Sequence, residues 1–284
     1  MRAPIPDRAL PGMQVGRARP VHRTILMIMN MARNGGRWLL RAPAAAPAGR
    51  IRLFCLPHAG GGAAAHLSWA STLGPQVEVL PLQPPGRENR FNEPPLRNMT
   101  GFVAEVLAEV QPLTASPYVI YGHSMSAIVA YQLARALSRQ GLPMPALLVL
   151  SGSRAPYLAD PLPLLSSLDD AALVEAVQSR YGVRFEPELL DLLHATLPTL
   201  RADLQVIESR PFDPQPPLPV PMLVMAGESD PGVPLTDARQ WERHTSAAFT
   251  MKVFDGTHFF NATARDAVLR SLIQAINAVR QTSA

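Results

Sequence analysis

The chain has 284 residues, 47% of them hydrophobic, and one cysteine, Cys55. That length fits one α/β domain with a large core and some residues to spare; a lone cysteine excludes an intrachain disulfide and makes a reducing, cytoplasmic compartment the expectation. The net charge of +4 conceals two regions, since residues 1–52 carry ten arginines against one acid, Asp7, and residues 53–284 carry 16 bases against 21 acids. The basic character belongs to an N-terminal arm, and a mildly acidic body argues against a nucleic-acid partner.

In chain order, residues 1–50 are rich in Arg, Pro, Gly and Ala and show no sustained period. The apolar run "TILMIMNM", 24–31, is short for a signal peptide and contains Asn30, and Arg33, Arg37 and Arg41 stand before the small residues "APAAAPA". A disordered arm is expected, or a start codon placed too early, with Met27, Met29 and Met31 as alternative starts. From residue 51 onward, apolar runs alternate with helical patterns. The strands expected are Ile51–Leu56, Val77–Leu82, Tyr118–Tyr121, Ala146–Leu150, Val220–Ala226 and Phe249–Phe254. The helices expected are Ala63–Leu73, Thr100–Leu113, Met125–Gln140, Leu235–His244 and Ala264–Arg280. Continuous apolar strands between helices indicate a mostly parallel sheet flanked by helices on both faces, an α/β fold.

Between the strands at 150 and 220 the alternation stops. Helical patterns at Asp169–Gln178, Pro187–Ala195 and Leu197–Glu208 occupy this stretch, and proline-rich segments flank it. A structureless loop of that length is improbable in a compact domain, so residues 155–215 are expected to be a helical insertion. Its apolar positions, among them Leu189, Leu190, Leu192 and Leu193, then Leu197, Leu200, Leu204 and Ile207, recur at helical spacing.

The segment "YVIYGHSMSAIVAYQLA", 118–134, reads as strand, sharp turn and helix. Gly122-His-Ser-Met-Ser126 resembles the G-x-S-x-G nucleophile elbow of the α/β-hydrolase fold, with Ser126 in place of the second glycine. The flanks of the nucleophile must be small because strand and helix backbones pass close together there. Ser124 meets that condition; Ser126 as nucleophile would put Ile128 at a flank. A plain helix cap by Ser124 or Ser126 is the competing reading. A serine hydroxyl needs a base, and the base needs an orienting acid. In this fold the chain order is Ser, acid, His. His258, in the loop "FDGTHFFN" after the last strand, is the expected base, while His244 reads as a surface residue on a helix. Asp230 is the expected acid, with Glu228 as its rival and Asp255 as a weaker one. The glycine-rich loop Leu56-Pro57-His58-Ala59-Gly60-Gly61-Gly62 follows the first strand. There the backbone N–H of Ala59, with that of Met125, would form an oxyanion hole. A phosphate cradle is the alternative use of such a loop, but no dinucleotide or P-loop motif accompanies it. No spacing suggests a metal site.

Five segments in order, "RLFCLPHAGGGA", "PLQPPGRENRFNEPP", "YGHSMSA", "GESDPGVP" and "GTHFF", resemble the type II (editing) thioesterases of polyketide, nonribosomal peptide and fatty acid assembly lines. The resemblance runs from about Trp38 to the C-terminus, and the Pro-Gly-Arg-Glu segment distinguishes this family from plain esterases. It implies an α/β-hydrolase fold over 51–284 with 155–215 as a mobile lid. The lid would cover an acyl channel, and Leu200 and Leu204 are its candidate lining residues. It also implies hydrolysis of acyl thioesters on the phosphopantetheine arm of an acyl or peptidyl carrier protein. No cofactor, metal, nucleic acid or membrane is implied, and a monomer is expected. A carboxylester hydrolase, an acyltransferase using the same triad and a non-catalytic carrier-protein scaffold are the rival functions.

Overall fold

The computed structural model describes residues 38–40, 49–159, 163–184, 190–212 and 214–282, with the backbone alone for 190–193 and Thr282. Most of the expected arm, residues 1–37 and 41–48, lies outside the described residues, as does Leu189. Among those described, six strands form one sheet: β1 (Ile51–Leu56), β2 (Val77–Pro81), β3 (Tyr118–His123), β4 (Leu147–Ser151), β5 (Met222–Gly227) and β6 (Phe249–Phe254). Their order is β2-β1-β3-β4-β5-β6 and every neighbouring pair is parallel. The helices are α1 (Ala64–Leu67), α2 (Trp69–Leu73), α3 (Met99–Val110), α4 (Met125–Arg139), α5 (Asp170–Tyr181), α6 (Leu190–Glu208), α7 (Leu235–Arg239), α8 (Phe260–Thr263) and α9 (Arg265–Thr282).

Strands β1 to β5 are buried along their whole length, which explains why they read as largely apolar runs; Arg52 of β1 and Glu78 of β2, the charged residues among them, bond one another at 3.2 Å. Successive side chains still alternate between faces. Phe54, Leu56, Ile120, Leu148 and Leu150 meet α3 and α4 through Phe102, Val106, Ile128 and Leu133. Leu53, Cys55, Val119, Tyr121 and Val149 face the opposite side, against Trp69, Leu73 and α9. On α9 the residues Val268, Leu269, Leu272 and Ile276 are fully buried, each worth about 1.5–3 kcal/mol of transfer free energy. The edge strand β6 is half-exposed.

Caps mark several helix ends. Asn98 Oδ1 accepts the Gly101 N–H at 2.8 Å at the start of α3, and Asp169 Oδ1 accepts that of Ala172 at 2.9 Å at the start of α5. Where single helices were expected, the chain breaks them. Ser68 separates α1 from α2, and Pro112 turns the end of α3 into a 3₁₀ turn over Gln111–Leu113. From Leu190 on, the pattern that ends at Ala195 instead merges with that at 197–208 into α6, which runs through Pro198. Proline removes one backbone hydrogen bond, but burial of Leu197 and Leu204 on either side of it holds the helix on its course.

The insertion has a small core of its own. Leu165, Leu173, Val177, Leu197 and Leu204 pack together, with Leu168, Val174 and Leu200 beside them. Another face of α6, through Val206 and Ile207, joins the main core. Before β1, Trp38, Leu39 and Leu40 are already buried. Leu39 bridges Leu82 in antiparallel fashion, the Gln83 N–H donates to the Trp38 carbonyl at 2.7 Å, and Trp38 meets Phe102 edge-on.

Candidate active site

The chain leaves β1, pairs outward to β2, then returns to lay β3 on the other side of β1. Connections from β1 and β3 therefore diverge, and a crevice opens between them at the carboxyl edge of the sheet, where open α/β sheets bind ligands. The glycine-rich loop follows β1 and Ser124 follows β3. Asp230 lies just past β5 and His258 just past β6.

Ser124 has φ 59° and ψ −122°, outside the regions comfortable for an L-residue. Such a conformation costs on the order of 1–3 kcal/mol and persists only where its surroundings enforce it. Here the Ser124 N–H is held by the Ser151 carbonyl at 2.8 Å. The close passage also fixes Gly122, because a Cβ there would lie 2.0 Å from the Ser126 carbonyl oxygen. Ser126, the residue in the second glycine's place, is fully buried, and its Oγ donates to the Pro57 carbonyl. Its hydroxyl thus ties α4 to the loop after β1. No motif or spacing marks that bond in the sequence.

Of the three candidate acids, Asp230 is the one brought to His258. Asp230 Oδ2 lies 2.7 Å from His258 Nδ1, and His258 Nε2 lies 2.8 Å from Ser124 Oγ. Asp230 and His258 are both buried, whereas Glu228 and Asp255 stand exposed. The other carboxylate oxygen of Asp230 accepts the Gly232 N–H at 3.0 Å. Tyr181, the last residue of α5, lies against the His258 ring with centroids 4.3 Å apart. His244 is half-buried rather than on the surface: it packs on Trp241 and Tyr157, and its Nδ1 lies 3.3 Å from the Tyr131 hydroxyl.

Two further histidines crowd the site. His123 is buried with Nδ1 2.9 Å from Ser151 Oγ, and burial lowers its pKa well below the ordinary value. His58 packs edge-on against Phe259, and burial, then the charges of His258 and Arg87, lower its pKa from 6.5 to about 4. Both are therefore neutral at pH 7 and keep positive charge away from His258.

Ser124 and His258 line a cavity of about 200 Å³ walled by Ala59, Met125, Val177, Leu200, Leu204 and Ile207, among others. Ala59 and Met125 thus stand together beside the serine, and Leu200 and Leu204 reach the same space from the insertion. A smaller space on another side of Ser124, about 80 Å³, is bounded by Ile128, Arg154, Leu165, Arg180 and Val233, among others. Among the described residues, no group of three His, Cys, Asp or Glu is placed to hold a metal ion. No described helix is long and apolar enough to cross a membrane.

A buried network that composition and periodicity did not reveal joins the insertion to this edge. Arg87, from the Pro-Gly-Arg-Glu segment, bonds Asp203 of α6 through both guanidinium nitrogens, at 2.6 and 2.8 Å. Asp203 Oδ2 also accepts the Gly60 N–H at 2.7 Å. Thr199 donates to the Gly86 carbonyl at 2.7 Å. The sequence signal was the Arg-containing segment itself; its partner, an acid in the middle of an amphipathic helix, carries no mark in sequence.

A parallel sheet with Ser124, His258 and Asp230 in line at its carboxyl edge has the architecture of the α/β-hydrolase class. Within that class the chain belongs to the thioesterase family, since residues 51–276 match the family model described as Thioesterase domain. It is 36% identical over 230 residues to Thioesterase PikA5 of Streptomyces venezuelae, a match covering 80% of this chain and 81% of that one. The RedJ thioesterase from the prodiginine biosynthetic pathway in Streptomyces coelicolor superposes with a TM-score of 0.74 at 33% identity, covering 82% of this chain and 91% of that one. YbtT, a type II thioesterase from the yersiniabactin NRPS/PKS biosynthetic pathway, gives a TM-score of 0.72 at 28% identity, with 83% and 96% covered.

Proposed function

We propose that this thioester hydrolase is a serine enzyme that removes acyl groups from the phosphopantetheine arm of acyl or peptidyl carrier proteins, clearing stalled or misprimed units in polyketide and nonribosomal peptide synthesis. The observation that carries the reading is the His258 ring spanning Asp230 and Ser124, with bonds of 2.7 and 2.8 Å, next to a serine held in a strained elbow. The biosynthetic roles named for RedJ and YbtT support the choice of substrate.

His258 Nδ1–H donates to Asp230, which leaves Nε2 as the acceptor facing Ser124 Oγ. As Oγ attacks the thioester carbonyl, its proton passes to Nε2 and the carbonyl oxygen gains the charge. The N–H groups of Ala59 and Met125 are the donors for that oxyanion; removal of one such donor typically costs about 100- to 1,000-fold in rate. Collapse expels the pantetheine thiolate, which takes the proton from Nε2. The acyl chain, now an ester of Ser124, occupies the apolar cavity under Leu200 and Leu204. Water enters by the reverse proton route and releases the free acid.

The test uses an acyl-loaded carrier protein. Ser124→Ala should lose turnover by roughly 10⁴-fold or more. A serine-directed fluorophosphonate should label the wild type at Ser124 by peptide mass spectrometry, and labelling at Ser126 would overturn the assignment. Faster hydrolysis of a p-nitrophenyl ester than of the acyl-carrier protein would favour a general esterase.

A further inference from the structure

The Arg87–Asp203 pair is more deeply buried than its charge alone explains: the two side chains are 5% and 0% exposed. A buried ion pair costs desolvation that its attraction often fails to recover, and apolar residues of similar size frequently serve stability as well or better. Here the pair also shapes the loop after β1. Asp203 Oδ2 fixes the Ala59–Gly60 peptide through the Gly60 N–H, and Gly60 itself has φ +74°. The Ala59 N–H belongs to the preceding peptide, whose carbonyl, that of His58, accepts the Gly61 N–H at 2.9 Å. The Gly61 carbonyl in turn accepts from Arg87 Nη1 at 3.2 Å. The peptide after Ala59 is therefore held by Asp203, a side chain of the helix α6 that walls the acyl cavity, the peptide before it by the Gly61 N–H, and the Gly61–Gly62 peptide that closes this turn by Arg87.

We infer that Asp203, together with Arg87, is a positioning pair that aims the Ala59 N–H at the oxyanion, so that the oxyanion hole is complete only while α6 is seated over the site. This rests on the reading of Ser124 as nucleophile given above. Seating of the acyl chain against Leu200 and Leu204 of α6 would then favour the geometry that stabilises the tetrahedral intermediate. Binding energy remote from the carbonyl would be expressed in the transition state.

The experiment compares two inhibitors of equal chain length. An alkyl trifluoromethyl ketone forms a tetrahedral adduct on Ser124 and puts an oxyanion in the hole; the corresponding methyl ketone binds without addition. Two variants are measured: Asp203→Asn, and the double variant Arg87→Met/Asp203→Leu, which leaves no buried charge unpaired. The expected result is that the folded double variant binds the trifluoromethyl ketone roughly 10- to 100-fold more weakly, a partial loss of what a hydrogen-bond donor provides. Its kcat should fall in parallel, with methyl ketone affinity within about twofold of wild type. Asp203→Asn, which can still offer an oxygen to Gly60, should fall between the two. Unchanged trifluoromethyl ketone affinity in either folded variant overturns the inference, as does equal weakening of both inhibitors. A wild-type protein that forms no adduct on Ser124 overturns the nucleophile assignment, and this inference with it.

Discussion

At the scale of single residues, the site is built by side chains whose neighbours leave them little choice. Ser126 is one. Its Cβ fits beside the elbow, and its hydroxyl holds the Pro57 carbonyl, so Ser126→Gly removes a bond and adds backbone freedom. The expected cost is about 1–2 kcal/mol, seen as a lower denaturation midpoint, while fluorophosphonate labelling of Ser124 stays within a few-fold. His66 is another. It is buried between Trp69 and Tyr121, and burial, then the charge of His58, lower its pKa from 6.5 to about 3. The unfolded chain takes up this proton near pH 6.5 and the folded chain refuses it. Stability is therefore intact above that pH and falls as pH drops from about 6.5 toward 3. His66→Phe should flatten the decline of melting temperature over this range; an unchanged slope would assign the acid sensitivity to other groups. Ser124, His258 and Asp230 were legible in the sequence because strand ends and chain order constrain them. The Ser126–Pro57 bond was not, since it joins residues 69 positions apart with no pattern to mark either.

Helices and loops carry the next level of control. The insertion was legible as an interruption of the strand rhythm, and its apolar spacing announced two packed faces. What spacing does not show is which face meets what. Helix α6 presents Leu197 and Leu204 to the insertion's own core, Val206 to the main core and Leu200 to the cavity beside Ser124. Leu200 is only partly buried beside the insertion's core and lines the cavity, so polar substitution there should shift acyl-length preference more than stability. We expect Leu200→Gln to lower kcat/KM for long acyl chains by roughly 10-fold, the loss of about 1–2 kcal/mol of apolar contact. Labelling by a small fluorophosphonate should hardly change. Chain-length profiles of the variant and the wild type on acyl-pantetheine thioesters decide the point. An identical profile would make Leu200 an ordinary packing residue.

For the whole molecule, the order of strands matters more than the details of any one. The reversal beside β1 puts the glycine-rich loop and Ser124 on two sides of one crevice; alternating strands and helices announce a parallel sheet, but not the order in which its strands lie. The N-terminal boundary was less legible. Trp38–Leu40 has no period, yet Trp38 is 1% exposed and its indole N–H donates to Glu105 at 3.3 Å. A chain beginning at Met31 should match the full chain in melting temperature and turnover. One beginning at Ile51 should melt several degrees lower, since loss of a buried Trp costs about 3–5 kcal/mol. Differential scanning fluorimetry of the two chains distinguishes these outcomes. Finally, Cys55 sits in the middle strand region with no exposure, and burial pushes its thiol pKa well above the ordinary 9.0. An enzyme that releases a thiol at each turnover therefore keeps its own sulfur buried and protonated, and mixed disulfides with that product are not expected while the fold holds. The native chain should therefore be silent to maleimides, as a thiol count on the folded protein would show. Ser179→Cys, at an exposed position of α5, would supply the sole reactive sulfur, an attachment point for a fluorophore or spin label reporting on the insertion.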